Sequence, residues 1–185
     1  MTTVKTIEGI PETRPTIALP FSYLELSAAG RDAVWARIED WIAFRWGERS
    51  CVFIVETGAR RTWRPPLAPF VVETVELWTG EAWEAVTLVP DYCGAFVLGY
   101  ADAYRFTGTL GTDDAPPADV AEAYRRLADH VVAIRVHSPM LGSSKHEQAT
   151  AHGASVSIER SPSWAAKAMH NSGAADLLRR YRRAP

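Results

Sequence analysis

The chain has 185 residues, 47% of them hydrophobic and 23% charged, with a formal net charge of -2 and a pI near 6.2. This suits one globular domain with polar extensions and leaves enough apolar material for a core, while near neutrality excludes a protein that wraps nucleic acid by bulk charge. The longest stretch free of Asp, Glu, Lys and Arg is the eleven mostly polar residues 148–158. A bilayer span needs ~20 apolar residues, so no membrane partner is expected. Cys51 and Cys93 show no metal-ligand spacing, and the opening MTTVKTIEG has no apolar secretion core. Both cysteines read as reduced core thiols of an intracellular chain.

In chain order, residues 1–27 begin with Pro11, Pro15 and Pro20 among Thr and Glu and follow neither helical nor strand periodicity, which predicts an extended arm. From Ala28 to Glu48, Val34, Trp35, Ile38, Trp41, Ile42, Arg45 and Trp46 recur at three- and four-residue spacing, which predicts a helix closed near Gly47. Residues 51–110 alternate short β-branched and aromatic runs with Gly, Pro and Asp. Strands are expected at 51–56, 61–64, 71–78, 84–89, 95–98 and 104–110, with a hairpin turn at Thr79-Gly80. Within 71–78, Val71, Glu73, Val75 and Leu77 should share one face. After Pro116-Pro117, Val120, Tyr124, Leu127, Val131 and Ile134 step by four and three, giving a second helix over 118–136 that packs on the first and stops at Ser138-Pro139.

Residues 138–161 are Ser, Gly, Thr, His and Ala with few large apolar groups, a composition that buries too little surface to offset its own ordering. Two short helical segments follow, 163–170 and 172–183, each with a serine at its N-cap position. The predicted class is α+β: a small helical bundle of two long helices with an inserted short-stranded antiparallel sheet. Its parts are the arm 1–27, a helix–sheet–helix core 28–137 and a tail 138–185.

No catalytic constellation emerges from this order. Gly142-Ser143-Ser144-Lys145 lacks the spacing of a phosphate-binding loop, which needs backbone N–H groups and lysine to converge. His130, His137, His146, His152 and His170 form neither HExxH nor finger spacing; His130 reads as a helix-face residue and the others as loop residues. Ser143, His146 and Glu147 could supply a hydrolase only by free choice among common residues, with no nucleophile elbow. No enzyme activity, cofactor or metal is expected. Trp35, Trp41 and Trp46 could line a ligand cage, but helical spacing favours core or subunit packing. The terminal LLRRYRR admits three readings: a protein interface, an ordinary surface helix or a polyanion contact.

Taken together, RDAVWARIEDWIAFRWGERSCVFIVET, PPLAPFVVETVELWTGEAWEAV, YRFTGTLGTDDAPPADVAEAYRRLADHVV and SPSWAAKAMHNSGAADLLRRYRR resemble, in order and pattern, the head-tail connector (adaptor) proteins of tailed bacteriophages and gene transfer agents. The likeness covers most of residues 28–183, although 142–161 match no family pattern. It implies a virion structural subunit, assembled in the bacterial cytoplasm, that forms a homo-oligomeric ring, commonly a dodecamer, in the neck of the particle. Its implied partners are the portal protein above, a stopper or tail protein below, and double-stranded DNA passing through the lumen without sequence readout. The resemblance implies portal binding by Trp164, Leu177, Leu178, Arg179, Arg180, Tyr181, Arg182 and Arg183. Other readings are a stopper or tail terminator, a small-ligand-binding domain using the Trp-rich helix, and a DNA-binding accessory protein.

Overall fold

In the computed structural model of the protein, residues 2–19, 26–99, 101–137, 146–151, 154–159 and 167–182 are described. The class is α+β, as expected. The chain folds as two compact units, one built from the residues up to Pro15 with Ala43–Ala115, the other from Thr16–Ile42 with Pro116–Arg182.

The first unit is built on a five-stranded antiparallel sheet. Its strands are β1 (Thr2–Glu8), β2 (Arg49–Thr57), β4 (Phe70–Trp78), β5 (Trp83–Ala85) and β7 (Ala101–Leu110), in the order β1-β2-β7-β4-β5. A second, two-stranded sheet pairs β3 (Arg61–Trp63) with β6 (Phe96–Leu98). Alternation along β2 buries Cys51, Phe53 and Val55, and along β7 Tyr104, Phe106 and Leu110, so these two central strands supply one face of the core. Trp63 closes it from β3, its ring stacked 4.3 Å from that of Phe106. Across the sheet, Arg105 on β7 donates to both carboxylate oxygens of Glu76 on β4, at 2.5 and 2.7 Å, and lies over the Trp83 ring of β5.

Four features of this unit differ from the sequence reading. The arm is not free of secondary structure: Thr2–Glu8 form the edge strand β1, paired with β2 through a bulge at Val4, which breaks the two-residue period that would have revealed it. In β4 the register shifts between Val72 and Thr74, so Phe70 and Val72 are half-buried before the bulge and Val75 is buried after it, while Val71 is 65% exposed. Val71 therefore does not share a face with Val75. The strand expected at 84–89 stops at Ala85; Val86 still donates to Val75 O, and the chain then leaves the sheet. Cys93 is exposed rather than core, whereas Cys51 is buried and its thiol is pushed up to about 11, mainly by desolvation. Because the thiolate is the reactive form, a thiol reagent at pH 8 should label Cys93 in the folded protein and reach Cys51 only on unfolding. Mass-spectrometric counting of labels with and without denaturant checks this, and rapid double labelling of the native chain contradicts it.

The second unit contains α1 (Ala28–Ile42) and α2 (Ala118–His137). Ser27 Oγ accepts the Gly30 N–H at 3.2 Å and so caps the start of α1. Val34, Trp35, Ile38 and Ile42 are buried on α1, as are Val120, Ala123, Tyr124, Leu127 and Ala128 on α2. The expected helix–helix packing is present, with the Trp35 and Tyr124 rings 4.9 Å apart. Helix α1 ends six residues before Glu48, with Ala43 in the left-handed region at φ 55°. Within the first unit, Ala43 O accepts the Ala68 N–H and Arg45 N–H donates to Ala68 O. These strand-like partners outcompete the helical continuation that the spacing of Arg45 and Trp46 suggested, so Gly47 does not cap α1.

The polar tail contains elements that its composition hid. Strands β8 (His146–Ala151) and β9 (Ala154–Glu159) form an antiparallel hairpin in whose register Ala149 pairs with Val156 and Ala151 with Ala154. His146 is thus a strand residue, not a loop residue. The expected helices 163–170 and 172–183 are shorter: α3 (Ala168–Asn171), α4 (Ala174–Leu177) and a single 3₁₀ turn at Arg179–Tyr181. The cap of α4 is Gly173 at φ 75°; Ser172 lies one residue earlier, yet its hydroxyl accepts the Ala174 N–H at 3.3 Å. Ser163 lies outside the described residues.

Candidate interaction surface

The C-terminal segment packs on its own unit. Ala168, Met169, Ala174 and Leu178 are buried, α4 lies along α2, and Leu178 is 0% exposed. This apolar side spends the leucine that the sequence reading offered to a partner; Leu177 beside it is half-buried. Outward from this seam lies a basic surface. Arg179, Arg180 and Arg182 are exposed and Tyr181 is half-buried.

Neighbouring side chains orient two of these arginines, Arg180 and Arg182. The Arg180 guanidinium is 2.5 Å from the Asp119 carboxylate at the start of α2, donates to Tyr181 Oη at 2.6 Å and lies over the Tyr181 ring. Arg182 stacks its guanidinium 4.8 Å from the centre of the Trp41 ring, and the His170 ring meets Trp41 edge-on at 5.2 Å. A planar cation held over an aromatic face keeps its outer N–H groups available to a carboxylate. Arg179 makes no ion pair among the described residues. The result is a short, rigidly backed basic ridge. Trp164 and Arg183 lie outside the described residues.

Sequence reasoning found the arginines but missed Asp119, Trp41 and His170, which hold them. Asp119 was legible only as a first-turn acid, and Trp41 as one position of a helical stripe. No short-range pattern joins either to residue 180 or 182.

The other candidates do not converge. Trp35, 2% exposed, is spent on the α1–α2 contact, Trp41 is covered by Arg182 and His170, and Trp46 lies beyond the end of α1. His130 is half-buried on α2, where desolvation depresses its pKa below the ordinary imidazole value. Residues 142–145 and His152 lie outside the described residues. Among the described residues no group of three or more His, Cys, Asp or Glu could hold a metal ion, and no helix is long and apolar enough to cross a membrane.

No protein-family model and no curated protein matches the chain. Solved structures do. The fold is that of chains in gene transfer agent particles. One, in the neck of an empty GTA particle with C6 symmetry, superimposes with a TM-score of 0.54 at 19% identity over 91% of this chain and 85% of its own. Another, in the virion of a native gene transfer agent particle, gives a TM-score of 0.50 at 19% identity over 91% and 86%. At such identity the likeness concerns the path of the backbone across both units and does not extend to individual side chains.

Proposed function

We propose that this protein is a head-tail connector (adaptor) subunit of a phage-like particle, a structural rather than a catalytic part. The observation that carries the reading is the superposition of nine-tenths of the chain on a chain from a GTA particle neck. The order of sequence elements independently resembles the connector family. In this reading copies of the chain form a ring in the neck between portal and stopper or tail, and double-stranded DNA passes through its lumen without base readout. The C6 symmetry of the neck that holds the similar chain is compatible with a ring of six or of twelve subunits.

The portal contact is assigned to the basic ridge of Arg179, Arg180 and Arg182 with Tyr181 and the neighbouring Leu177; Trp164 and Arg183 join the assignment on the sequence resemblance alone. Arginine and tyrosine are the residues that most often dominate interfaces, and a guanidinium can pair bidentately with an acidic partner. Leu178 serves that contact from behind, by holding the ridge on α2.

The two roles separate experimentally. Arg179→Glu with Arg182→Glu should leave the thermal midpoint within a few degrees of wild type and abolish co-purification with the portal protein. Leu178→Ala should instead cost about 3 kcal/mol of stability, as for a fully buried leucine, measured by urea unfolding. Unchanged portal capture by the double arginine variant refutes the ridge assignment. Absence of the protein from purified particles, by mass spectrometry and imaging of the neck, refutes the connector reading itself.

A further inference from the structure

The two edges of the five-stranded sheet differ in charge, and both carry exposed apolar residues. At one edge, β1 presents Val4 at 52% and Ile7 at 49% exposure, and Ile10 just beyond it is 92% exposed. Lys5 on this strand is exposed, as are Arg60 and Arg61; Trp63 Nε1 donates to Thr3 Oγ1 and so holds β3 beside β1. Glu12 and Glu56 are exposed acids of this neighbourhood, against the three cations Lys5, Arg60 and Arg61.

The opposite edge is acidic. Residues 65–104 contain six acids, Glu73, Glu76, Glu81, Glu84, Asp91 and Asp102, and no lysine or arginine; the flanking cations at this edge are Arg64, which donates to Cys93 O at 2.9 Å, and Arg105, so acids still outnumber cations. Glu76 is committed to Arg105, but Glu81 in the turn before β5, Glu84 on it and Asp91 in the loop after it are exposed. Under that loop runs a groove of about 500 Å³ of mixed lining, apolar at Phe70, Val72, Val86 and Leu88 and polar at Glu73 and Thr87. Beside it Asp91 Oδ1 accepts the N–H groups of Cys93 and Ala95 at 2.8 and 2.9 Å; the turn so formed carries Tyr92 at 99% exposure, and Val89 just before it is 81% exposed.

We infer that these two edges are the halves of one contact between copies of this chain, the β1 edge of one copy seating against the β5 edge and groove of the next. Opposite charge on opposite edges selects a second copy placed head to tail over one placed edge to like edge, where Lys5 would face Lys5 or Glu84 would face Glu84. A head-to-tail contact is heterologous, and repetition closes a ring when the rotation per copy allows it. The inference rests on the connector reading for its ring and adds the surface by which the ring closes. The bulge at Val4 and the charge of Lys5 oppose a continuous backbone ladder, so the contact is made by side chains: Val4, Ile7 and Ile10 towards the groove, Lys5 and Arg61 towards Glu84 and Glu81.

The test uses the full chain with Cys93→Ser. Ile7→Cys and Glu84→Cys in the same chain should give, under mild oxidation, a ladder of cross-linked species running up to the complete ring. Each single variant should give almost none. Separately, Lys5→Glu with Arg61→Glu, and Glu81→Lys with Glu84→Lys, should each lower assembly by at least tenfold in sedimentation velocity, and mixing the two variants should restore contacts between unlike copies. Efficient dimer cross-linking by Ile7→Cys alone would mean a like-edge contact and overturn the inference. Rings that form normally in both reversal variants would overturn it while leaving the connector reading intact. A chain absent from particles would remove the connector reading, and the cross-link would then still decide whether the two edges meet.

Discussion

Gly108→Ala should unfold or severely loosen the sheet unit. A Cβ at Gly108 would sit 2.0 Å from Val71 O, 3.0 Å from Val71 C and 3.1 Å from Val72 Cα. These are backbone atoms of the neighbouring strand, so no side-chain rotation relieves the overlap. The position is opposite the β4 bulge, where Gly108 pairs with Val72 and the register then skips to Thr74 opposite Thr107. The extra residue pushes the β4 backbone towards β7, and only a residue without a side chain permits that approach. Relief requires the β4–β7 ladder to part, which also displaces Phe70 and Val75 from the core. The expected loss is about 3 kcal/mol or more, at the upper end of overpacking effects. Chemical denaturation with far-ultraviolet circular dichroism measures it. A variant of wild-type stability would mean that the strand approach is not as described.

Glu8→Gln is the second large loss. The Glu8 carboxylate receives Arg45 Nε at 2.7 Å and Nη2 at 3.3 Å, together with Arg49 Nη1 at 2.9 Å. The side chains of Arg45 and Arg49 are 8% and 3% exposed, and that of Glu8 is 24% exposed. Arg49 further donates to Gly47 O and Trp46 O. One carboxylate at the end of β1 thus ties both guanidinium groups to the segment that leaves α1 and enters β2. The neutral amide keeps the shape but removes the charge that offsets two desolvated cations. Removing one partner of a fully buried pair costs 3–5 kcal/mol. With Glu8 a quarter exposed to water the expectation falls to about 2–3 kcal/mol. Glu8→Asp, which keeps the charge but shortens the reach, should lose less. Equal losses in the two variants would show that packing rather than charge sets the cost. Because β1 also supplies one half of the inferred subunit contact, Glu8→Gln should impair assembly as well as stability.

Neither Gly108 nor Glu8 stood out in the sequence. A glycine within a strand-like run and a glutamate in a proline-bearing arm are unremarkable by themselves; each acquires its role from residues 36 to 41 positions away. The second long helix was legible to within a residue or two, because Val120, Tyr124 and Leu127 step along one face and Pro116-Pro117 and Pro139 bound it. The start of the first helix was equally plain. Its end was not, since Ala43 and Arg45 take their hydrogen bonds from Ala68. In the candidate surface, the arginines of LLRRYRR were visible as charge on an amphipathic segment. Which leucine faces inward, and which acid and aromatic ring hold the arginines, depended on where α2 and α1 bring Asp119 and Trp41.

By itself the sequence determined the α+β class, the order of helix, strands and helix, and the basic character of the C-terminus, all of which are local patterns carried by neighbours within a few residues. The tertiary structure alone decided that β1 completes the sheet, that β4 changes face midway, that Leu178 is core while Arg179 is surface, and that the two sheet edges carry opposite charge. Each of these depends on which distant backbone groups meet, and pairing across the sheet is selected by the free energy of the whole packed unit rather than by any single run of residues.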